Sequence, residues 1–404
     1  MLSARVCGIA AVGAALFFVV GCGGASSANK SASNGPASNA AAVVVDGGPA
    51  GGYANGLFTT VNVCAPGTSN CQAISGVLVD TGSFGLRILS TAITSASLNS
   101  ALAKETGANG QTIAECAQFS DGITWGPVVT ADVGIAGEKA SAIPVQIIGE
   151  PSFSTVPSEC TGHGVPEDDL QSLGTNGILG IGNFVQDCPA CAPGTAKNPG
   201  FYYGCTGASC KVTTVGLSQQ VANPVASFST DNNGVVVELP PAASSTASLN
   251  GTIIFGIGTQ SNNALGSAQV LTIDPGTGNF NTSFENKSYP GFLDTGSNGY
   301  FFLQSSTTGL AACSNSAMGF YCPTSPENLS ATNAGKNNAT RPVTFTIDDA
   351  LSLFSNNADS VFPTLGGPLP GMFDWGLPFF YGRNVFVAIS GASTPGGPGP
   401  YWAF

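Results

Sequence analysis

Two aspartates in this sequence each end an apolar run and are followed at once by Thr-Gly-Ser. Residues 77–89 read VLVDTGSFGLRIL, with Asp80 at the turn, and residues 291–302 read GFLDTGSNGYFF, with Asp294 at the same place. Two carboxyl groups held face to face share one proton, because like charges a few ångströms apart cannot both ionise easily. One carboxyl then acts as a base on a bound water, while the other acts as an acid toward a carbonyl oxygen.

The residues that follow each aspartate suit the support of such a pair. The glycine lets the chain turn tightly, the threonine can hydrogen-bond across to the other turn, and the serine can orient the outer carboxylate oxygen. These supporting residues are Thr81, Gly82, Ser83, Thr295, Gly296 and Ser297. In a single copy, the aspartate of such a turn can equally cap its own backbone. Two copies with matched flanking strands favour a dyad, which requires no metal ion, cofactor or histidine.

The elements that must position the two turns are strands. Short apolar runs broken by Gly, Asn and Pro predict strands at 58–63, 76–80, 128–135, 143–149, 234–239 and 251–258. Helical periodicity is scarce, and residues 89–104 and 348–354 are the best candidates for helices. The pattern predicts an all-β chain.

The repeated motif divides the chain into two related halves. Each half also carries a later strand that ends near a glycine, GILGIG at 177–182 and FDWGLPFF at 373–380. Such a duplication predicts two lobes related by a pseudo-two-fold axis, with the two aspartates between them. We place the N-terminal lobe at 44–235 and the C-terminal lobe at 236–404.

From residue 44 onward the sequence resembles a pepsin-like (A1-type) aspartic protease. The opening strand and loop before GVLVDTGS, the hairpin-like FSDGITWGPVVTADVGIAG at 119–137, and TNGILGIG at 175–182 follow the first lobe of that family. GTIIFGIGTQSNNALG at 251–266 and DWGLPFFYGRNVFVAI at 374–389 follow the second. The resemblance implies a bilobal fold, a catalytic dyad of Asp80 and Asp294, and an extended peptide or protein substrate in the cleft. The chain also resembles exported proteobacterial proteins grouped as a domain of unknown function.

The sequence departs from the family in two places near the expected site, at Phe119 and in the residues after the first motif, which include Arg87. Phe119 stands where the family usually has a tyrosine on the hairpin that covers the substrate, and a phenyl ring cannot donate a hydroxyl hydrogen bond. Trp125 lies on the same predicted hairpin, so we assign both aromatic residues to substrate covering, with core packing as the alternative. Arg87 follows the first motif, and we expect it to be a solvated strand residue and not a partner of the dyad.

The N-terminus has the pattern of an export signal. Arg5 precedes an apolar stretch at 7–20, which is too short to span a bilayer. Small residues then precede Cys22, as in the signal of bacterial lipoproteins, so residues 1–21 are predicted to be cleaved and Cys22 to carry lipid. Gly23 at the next position favours the outer membrane, and an ordinary secretion signal is the alternative. Residues 22–43, rich in Ser, Ala, Asn and Gly, are predicted to be a flexible tether.

The cysteine content also fits an exported protein. Cys7 and Cys22 belong to the predicted leader and lipid site, which leaves ten of the twelve cysteines, an even number that indicates disulfides. Short spacings favour Cys64–Cys71 and Cys313–Cys322, and Cys116 can pair with Cys160. Cys188, Cys191, Cys205 and Cys210 form a local group whose pairing the sequence leaves open. A single histidine, His163, supplies few nitrogen ligands, so we expect no metal site.

Composition excludes one further class of function. The chain has 404 residues, 11 Lys and Arg against 23 Asp and Glu, and a formal charge of −12. Nucleic acid is therefore not an expected partner, since phosphate binding needs Lys and Arg. The sequence predicts a monomeric, lipid-anchored aspartic endopeptidase of the bacterial cell envelope. The alternative is an inactive protein of the same fold that binds an envelope ligand.

Overall fold

The computed structural model describes residues 38–314 and 317–404, and within these ranges the chain forms 25 strands and five short α-helices. The strands are β1 (Ala40–Asp46), β2 (Gly56–Cys64), β3 (Cys71–Asp80), β4 (Phe84–Leu89), β5 (Ala103–Lys104), β6 (Thr112–Gln118), β7 (Ile123–Ile135), β8 (Glu138–Ile148), β9 (Gly177–Ile181), β10 (Tyr202–Thr206), β11 (Ser209–Val212), β12 (Gly234–Leu239), β13 (Leu249–Phe255), β14 (Val270–Thr272), β15 (Phe280–Phe284), β16 (Lys287–Leu293), β17 (Tyr300–Leu303), β18 (Glu327–Ala334), β19 (Thr340–Ile347), β20 (Gly366–Gly367), β21 (Leu369–Trp375), β22 (Arg383–Ala388), β23 (Ser393–Thr394), β24 (Gly397–Pro398) and β25 (Tyr401–Ala403). The α-helices are α1 (Ala96–Ala101), α2 (Ser158–Thr161), α3 (Leu170–Leu173), α4 (Ser305–Thr308) and α5 (Ala350–Leu353). Single 3₁₀ turns occur at Ser90–Ala92, Pro151–Phe153, Pro189–Cys191, Leu217–Gln219, Pro224–Ser227 and Leu377–Phe380.

Two sheets contain nearly all of the strands. One sheet of 16 strands runs in the order β11-β10-β6-β7-β8-β4-β9-β3-β2-β1-β13-β12-β22-β25-β14, with β5 beside β7. The other has seven strands in the order β19-β18-β15-β16-β21-β17-β20, and β23 pairs with β24. The large sheet therefore takes strands from both halves of the sequence, and β1 joins the halves by pairing with both β2 and β13.

Apolar patterning explains which faces of the strands are buried. In β15, Phe280, Thr282 and Phe284 are buried and the two residues between them are exposed, as expected for a strand with one face on the core. β7 is different, because nearly all of its residues are buried on both faces. Valine, isoleucine, leucine and phenylalanine make up most of the main core, since branched and aromatic side chains pack well on a pleated surface.

The two Asp-Thr-Gly-Ser turns sit in equivalent three-stranded units. In the first, β9 lies between β3 and β4, parallel to β3 and antiparallel to β4. In the second, β21 lies between β16 and β17, parallel to β16 and antiparallel to β17. The segments at 177–182 and 373–380 contain β9 and the end of β21, so each half has its later apolar segment beside its own turn. The duplication found in the sequence is therefore also present in the arrangement of the strands.

Most of the predicted elements are present, with two corrections. All six predicted strands lie within or overlap observed strands, whereas the predicted helix at 89–104 is only a 3₁₀ turn, α1 and the short strand β5. The predicted tether is also too long, because its last residues, 40–43, lie in β1. Ala41 and Val43 are buried there, and the backbone pairs with β13. Residues 1–37, including the predicted leader and Cys22, lie outside the described residues.

Within the described residues, five disulfides connect strands and loops. The predicted pairs Cys64–Cys71, Cys116–Cys160 and Cys313–Cys322 are confirmed. The local group that the sequence left unassigned resolves into Cys188–Cys191 and Cys205–Cys210. Several disulfides in one chain indicate an exported protein, because they persist in oxidising compartments. Over residues 38–314 and 317–404, we find no helix with the length and apolarity needed to cross a bilayer.

Asn55 connects the N-terminal segment to the C-terminal half beside the second turn. Its buried side-chain amide donates to the carbonyls of Asn298 (2.7 Å) and Phe362 (2.9 Å). Its side-chain oxygen accepts from the Phe362 amide and the Tyr381 hydroxyl, both at 2.7 Å. One side chain thereby satisfies four polar groups, so its loss would leave several of them buried without partners.

Candidate active site

Each aspartate is placed by the end of a parallel strand pair. Asp80 is the last residue of β3, and Asp294 follows β16 directly. The carboxylate of Asp80 accepts from the Gly82 amide at 2.7 Å and from the Ser83 hydroxyl. Asp294 accepts from the Gly296 amide at 2.7 Å and from the Ser297 hydroxyl at 3.0 Å. The two turns thus hold their carboxylates by the same pair of donors.

The threonines lock one turn to the other. The Thr81 amide donates to the Thr295 hydroxyl oxygen at 3.1 Å, and the Thr295 amide donates to the Thr81 hydroxyl oxygen at 3.0 Å. The hydroxyls in turn donate to the carbonyls of Leu293 and Val79 in the opposite strands. Both threonines are buried, so the reciprocal bonds form away from water and fix the relative position of the two carboxylates.

The glycines allow the two turns to approach closely. A Cβ atom added to Gly82 would lie 2.6 Å from Cγ of Asp294, and one added to Gly296 would lie 2.7 Å from Oδ1 of Asp80. Each carboxyl group therefore packs against the glycine of the opposite turn, where any side chain would collide with it. The structure brings together Asp80, Asp294 and all six predicted supporting residues.

A third carboxyl group, which the sequence analysis did not single out, lies beside Asp294. Asp374 on β21 is 7% exposed, and its Oδ2 atom is 2.5 Å from the Ser297 hydroxyl oxygen. Burial, and then the charges of Asp80 and Asp374, raise the pKa of Asp294 well above its ordinary value. Burial also raises the pKa of Asp374 to about 8, against the opposing effect of the Ser297 hydrogen bond. The centre therefore retains protons at a pH where exposed carboxyls are ionised.

The carboxyl groups open into a cleft of about 1270 Å³. The β6–β7 hairpin contributes its tip to the wall, and Phe119, the first tip residue, lines the cleft as predicted. Trp125 does not. It is 1% exposed, its indole donates to the Phe153 carbonyl, and its ring packs edge-on against Tyr203 in the core. The prediction that Trp125 covers the substrate is therefore corrected, because the side chain turns to the buried face away from the cleft.

Arg87 is buried, contrary to the expectation of a solvated residue. Its guanidinium is 2.5 Å from Glu115 on β6 and 3.0 Å from Asp187, and it also donates to the Phe84 carbonyl. Burial lowers the pKa of the Arg87 guanidinium, but the charges of the two carboxylates together have a larger effect, so the pKa is raised. Arg87 lies 5.8 Å from the ring centroid of Phe119. Its ion-pair partners are thus Glu115 and Asp187, and not the dyad.

Further acidic and phenolic groups line the cleft. Tyr53 reaches it from the N-terminal segment, and burial, with Asp121 and Asp80 nearby, raises the pKa of its phenol. Burial and the charge of Asp121 raise the pKa of Glu167 to about 7. The carboxyl groups in the lining outnumber its single guanidinium, that of Arg87.

One group of possible metal ligands occurs in the part of the chain that the structure describes. It consists of Cys313, Cys322 and Asp349, whose ligand atoms lie within 4.8 Å of one another. The two cysteines form a disulfide, so neither sulfur is the thiolate that metal ions require. A pair of carboxyl groups can in general supply both a base and an acid without a metal ion.

Comparisons with known proteins agree with this geometry. The structure is similar to the crystal structure of aspartic proteinase from Irpex lacteus, with a TM-score of 0.52 and 15% sequence identity, covering 90% of this chain and 96% of the other. This likeness shows an all-β, bilobal, pepsin-like fold. A search of curated protein sequences found no match. The family described as "Protein of unknown function (DUF3443)" matches residues 35–404, and the chain therefore belongs to that family.

Proposed function

We propose that the protein is an aspartic endopeptidase that hydrolyses peptide bonds with a water molecule held between Asp80 and Asp294. The observation that carries the proposal is the pair of equivalent turns, locked by the reciprocal Thr81–Thr295 hydrogen bonds, that aims two carboxyl groups at each other. The fold alone does not carry it, because one fold hosts many functions.

The mechanism follows from the shared proton. The ionised carboxyl of the pair accepts a proton from the water as it attacks the peptide carbonyl, and the protonated carboxyl donates to the carbonyl oxygen. The adjacent amides of Gly82 and Gly296 and the hydroxyls of Ser83 and Ser297 stabilise whichever carboxyl is charged. The pair titrates as a unit, so neither aspartate is assigned as the permanent acid. An extended peptide would lie in the cleft beside Phe119, aligned by backbone hydrogen bonds.

A direct cleavage assay tests this proposal. Full-length protein, expressed with its own leader in a bacterial envelope and extracted in detergent, is incubated with a mixture of peptides from about pH 3 to about pH 8. We expect cleavage with a bell-shaped pH dependence and inhibition by pepstatin, which binds aspartic protease clefts. Absence of any cleaved bond across this range, from protein shown to be folded, would overturn the proposal.

The second candidate function is a binding protein that uses the same cleft without catalysis. Phe119 favours it, since the hairpin tip offers a ring to the cleft but no hydroxyl that could hydrogen-bond to a bound peptide. The two functions differ in turnover. A binding protein retains its peptide intact, and its affinity does not depend on the protonation of the dyad in the bell-shaped way that catalysis does.

We also propose that the mature protein is anchored to the cell envelope, in the outer membrane, by lipid on Cys22, and that it acts as a monomer. Cys22→Ala is expected to abolish labelling by radioactive fatty acid and to move the protein from the membrane fraction to the soluble fraction, because the lipid would be its anchor. Cys7→Ala, a change of the same kind inside the leader, serves as the matched control and should leave both properties unchanged. Equal labelling of the Cys22→Ala protein would contradict the proposal.

A further inference from the structure

The two halves of the catalytic centre differ at several equivalent positions, and at one of them only the second half has a carboxyl group. In the first half, Ile178 on β9 pairs with Leu78, two residues before Asp80. In the second half, Asp374 on β21 pairs with Phe292, two residues before Asp294. Both residues line the cleft. At this position of the internal repeat, the first half therefore has an apolar side chain and the second half has a carboxyl group.

The contacts of Asp374 form a chain that ends at the dyad. The hydroxyl oxygen of Ser297 is 2.5 Å from Oδ2 of Asp374 and 3.0 Å from Oδ2 of Asp294. The other carboxyl oxygen of Asp374, Oδ1, is buried without a hydrogen-bond partner. In the first half, Ser83 has only Asp80 as a carboxylate neighbour among its hydrogen bonds in the described residues.

The Ser297 hydroxyl has too few protons to serve two ionised carboxylates. A serine hydroxyl carries one proton, so Ser297 can donate to only one of its two carboxyl neighbours. If both were ionised, the other contact would join two electron-rich oxygens with no proton between them. A proton on either carboxyl removes the conflict, but a proton on Asp374 leaves Asp294 to share the proton of the dyad with Asp80. Asp374 then donates to Ser297, and Ser297 donates to Asp294. The proton on Asp374 also removes the charge from a carboxyl whose Oδ1 is buried and unpaired.

The surroundings of Asp374 favour the neutral form. The titratable groups that act on it are Asp294, through Ser297, and Asp80 across the cleft, both acidic. The neighbouring strands place Phe292 of β16 and Phe301 of β17 opposite it in register, and neither carries charge. Burial raises the pKa of Asp374 to about 8, which also favours the protonated form.

We propose that Asp374 is a protonated positioning residue that fixes the Ser297 hydroxyl as a hydrogen-bond donor to Asp294. The catalytic centre then holds three carboxyl groups and two protons, where a simple dyad holds two carboxyl groups and one proton. A donor that is itself hydrogen-bonded is polarised and binds its acceptor more strongly. The relay therefore stabilises negative charge on Asp294 and holds its outer oxygen in place. This inference rests on the proposed peptidase for its kinetic consequence, but not for the protonation itself.

The kinetic test compares two replacements of Asp374 in the full-length protein near pH 5. Asp374→Ile installs the residue of the other half and removes the donor, so kcat is expected to fall by about tenfold while KM changes little. Asp374→Asn keeps a neutral donor of the same shape, so its kcat is expected to stay within about threefold of wild type. Equal losses in both variants would overturn the proposal, and so would a rise in KM with unchanged kcat, which would indicate a substrate contact.

A double replacement separates the relay from local packing. Ser297→Ala is expected to lower kcat as Asp374→Ile does, and the combined variant should lose little more than either alone, because both interrupt one chain. Additive losses would mean that Asp374 acts independently of Ser297 and would overturn the relay.

Infrared spectroscopy tests the protonation without any assay of activity. The difference spectrum of wild type minus Asp374→Asn is expected to contain the C=O band of a neutral carboxylic acid near pH 6, and the band should disappear as the pH rises through about 8. Absence of that band near pH 6 would overturn the inference. If the wild type cleaved no peptide, the proposed function would fail, and this spectrum would still decide whether Asp374 is protonated.

Discussion

Asp294→Asn is expected to lower kcat for peptide hydrolysis by about 10³-fold or more, while the protein remains folded. Asparagine has nearly the same shape as aspartate, so its side-chain oxygen can still accept from the Gly296 amide, while its NH2 group, in place of Oδ2, can donate to the Ser297 hydroxyl oxygen. It can neither take a proton from water nor share one with Asp80, and the reaction loses its acid–base pair. Asp80→Asn should have an effect of similar size, because the two turns are equivalent.

Asp294→Asn is also expected to change how the free energy of unfolding depends on pH. The pKa of Asp294 is raised in the folded protein by burial and by the charges of Asp80 and Asp374, so folding binds its proton more tightly than the unfolded chain does. A carboxyl of this kind costs no stability below its unfolded pKa of about 4, and destabilises the fold as the pH rises above that value. Asparagine removes this cost. The free energy of unfolding of Asp294→Asn, relative to wild type, is therefore expected to increase from pH 4 to pH 7.

The matched control is Asp274→Asn. Asp274 lies outside the cleft lining, in a turn where its carboxylate accepts from the amides of Gly276 and Thr277, and asparagine can accept the same bonds. Its peptide hydrolysis should equal that of wild type. Measured turnover of Asp294→Asn within a few-fold of wild type would remove Asp294 from the mechanism, and with it the dyad.

Local patterns made the dyad and its turns predictable. The strand, the turn chemistry and the repeat all lie within a few residues of Asp80 and of Asp294, so they can be recognised without knowing the pairing of the strands. Cys64–Cys71 and Cys313–Cys322 were predictable for the same reason, whereas four cysteines lie close together between 188 and 210 and so left their pairing open. The strand of GILGIG could be placed beside Asp80 only through the resemblance to a known family, because its pairing with β3 spans about a hundred residues.

The remaining features depend on pairings between distant residues. β7 is buried on both faces, so alternation along it could not tell which way Trp125 points. Asp374 stood in the sequence as a lone acid within an apolar strand, which is a signal of buried polar function, but only the register of β21 against β16 shows that it reaches Ser297. Arg87 looked like a surface residue because its partners lie 28 and 100 positions away.

Arg87→Leu is expected to lower the free energy of unfolding by about 3–5 kcal/mol near pH 7. Arg87 and Glu115 are at most 2% exposed, and removing the guanidinium leaves the carboxylates of Glu115 and Asp187 buried without a counter-charge. Leucine fills much of the space, so the loss is mainly one of charge. The measurement is guanidinium-induced unfolding with the disulfides intact. Arg341→Leu, on the exposed side of β19, is the matched control and should change stability by less than about 0.5 kcal/mol.

The pH dependence of that loss distinguishes charge from packing. Burial and the charge of Glu115 already raise the pKa of Asp187, against the opposing effect of Arg87. Without Arg87, the buried Asp187 can escape the penalty only by binding a proton, which becomes easier as the pH falls. The deficit of Arg87→Leu is therefore expected to be smaller near pH 5 than near pH 8, and adding Glu115→Gln should recover part of it. A deficit that is the same at both pH values, and unchanged by Glu115→Gln, would mean that Arg87 stabilises the fold through its packing and its bond to Phe84, and not as a buried counter-ion.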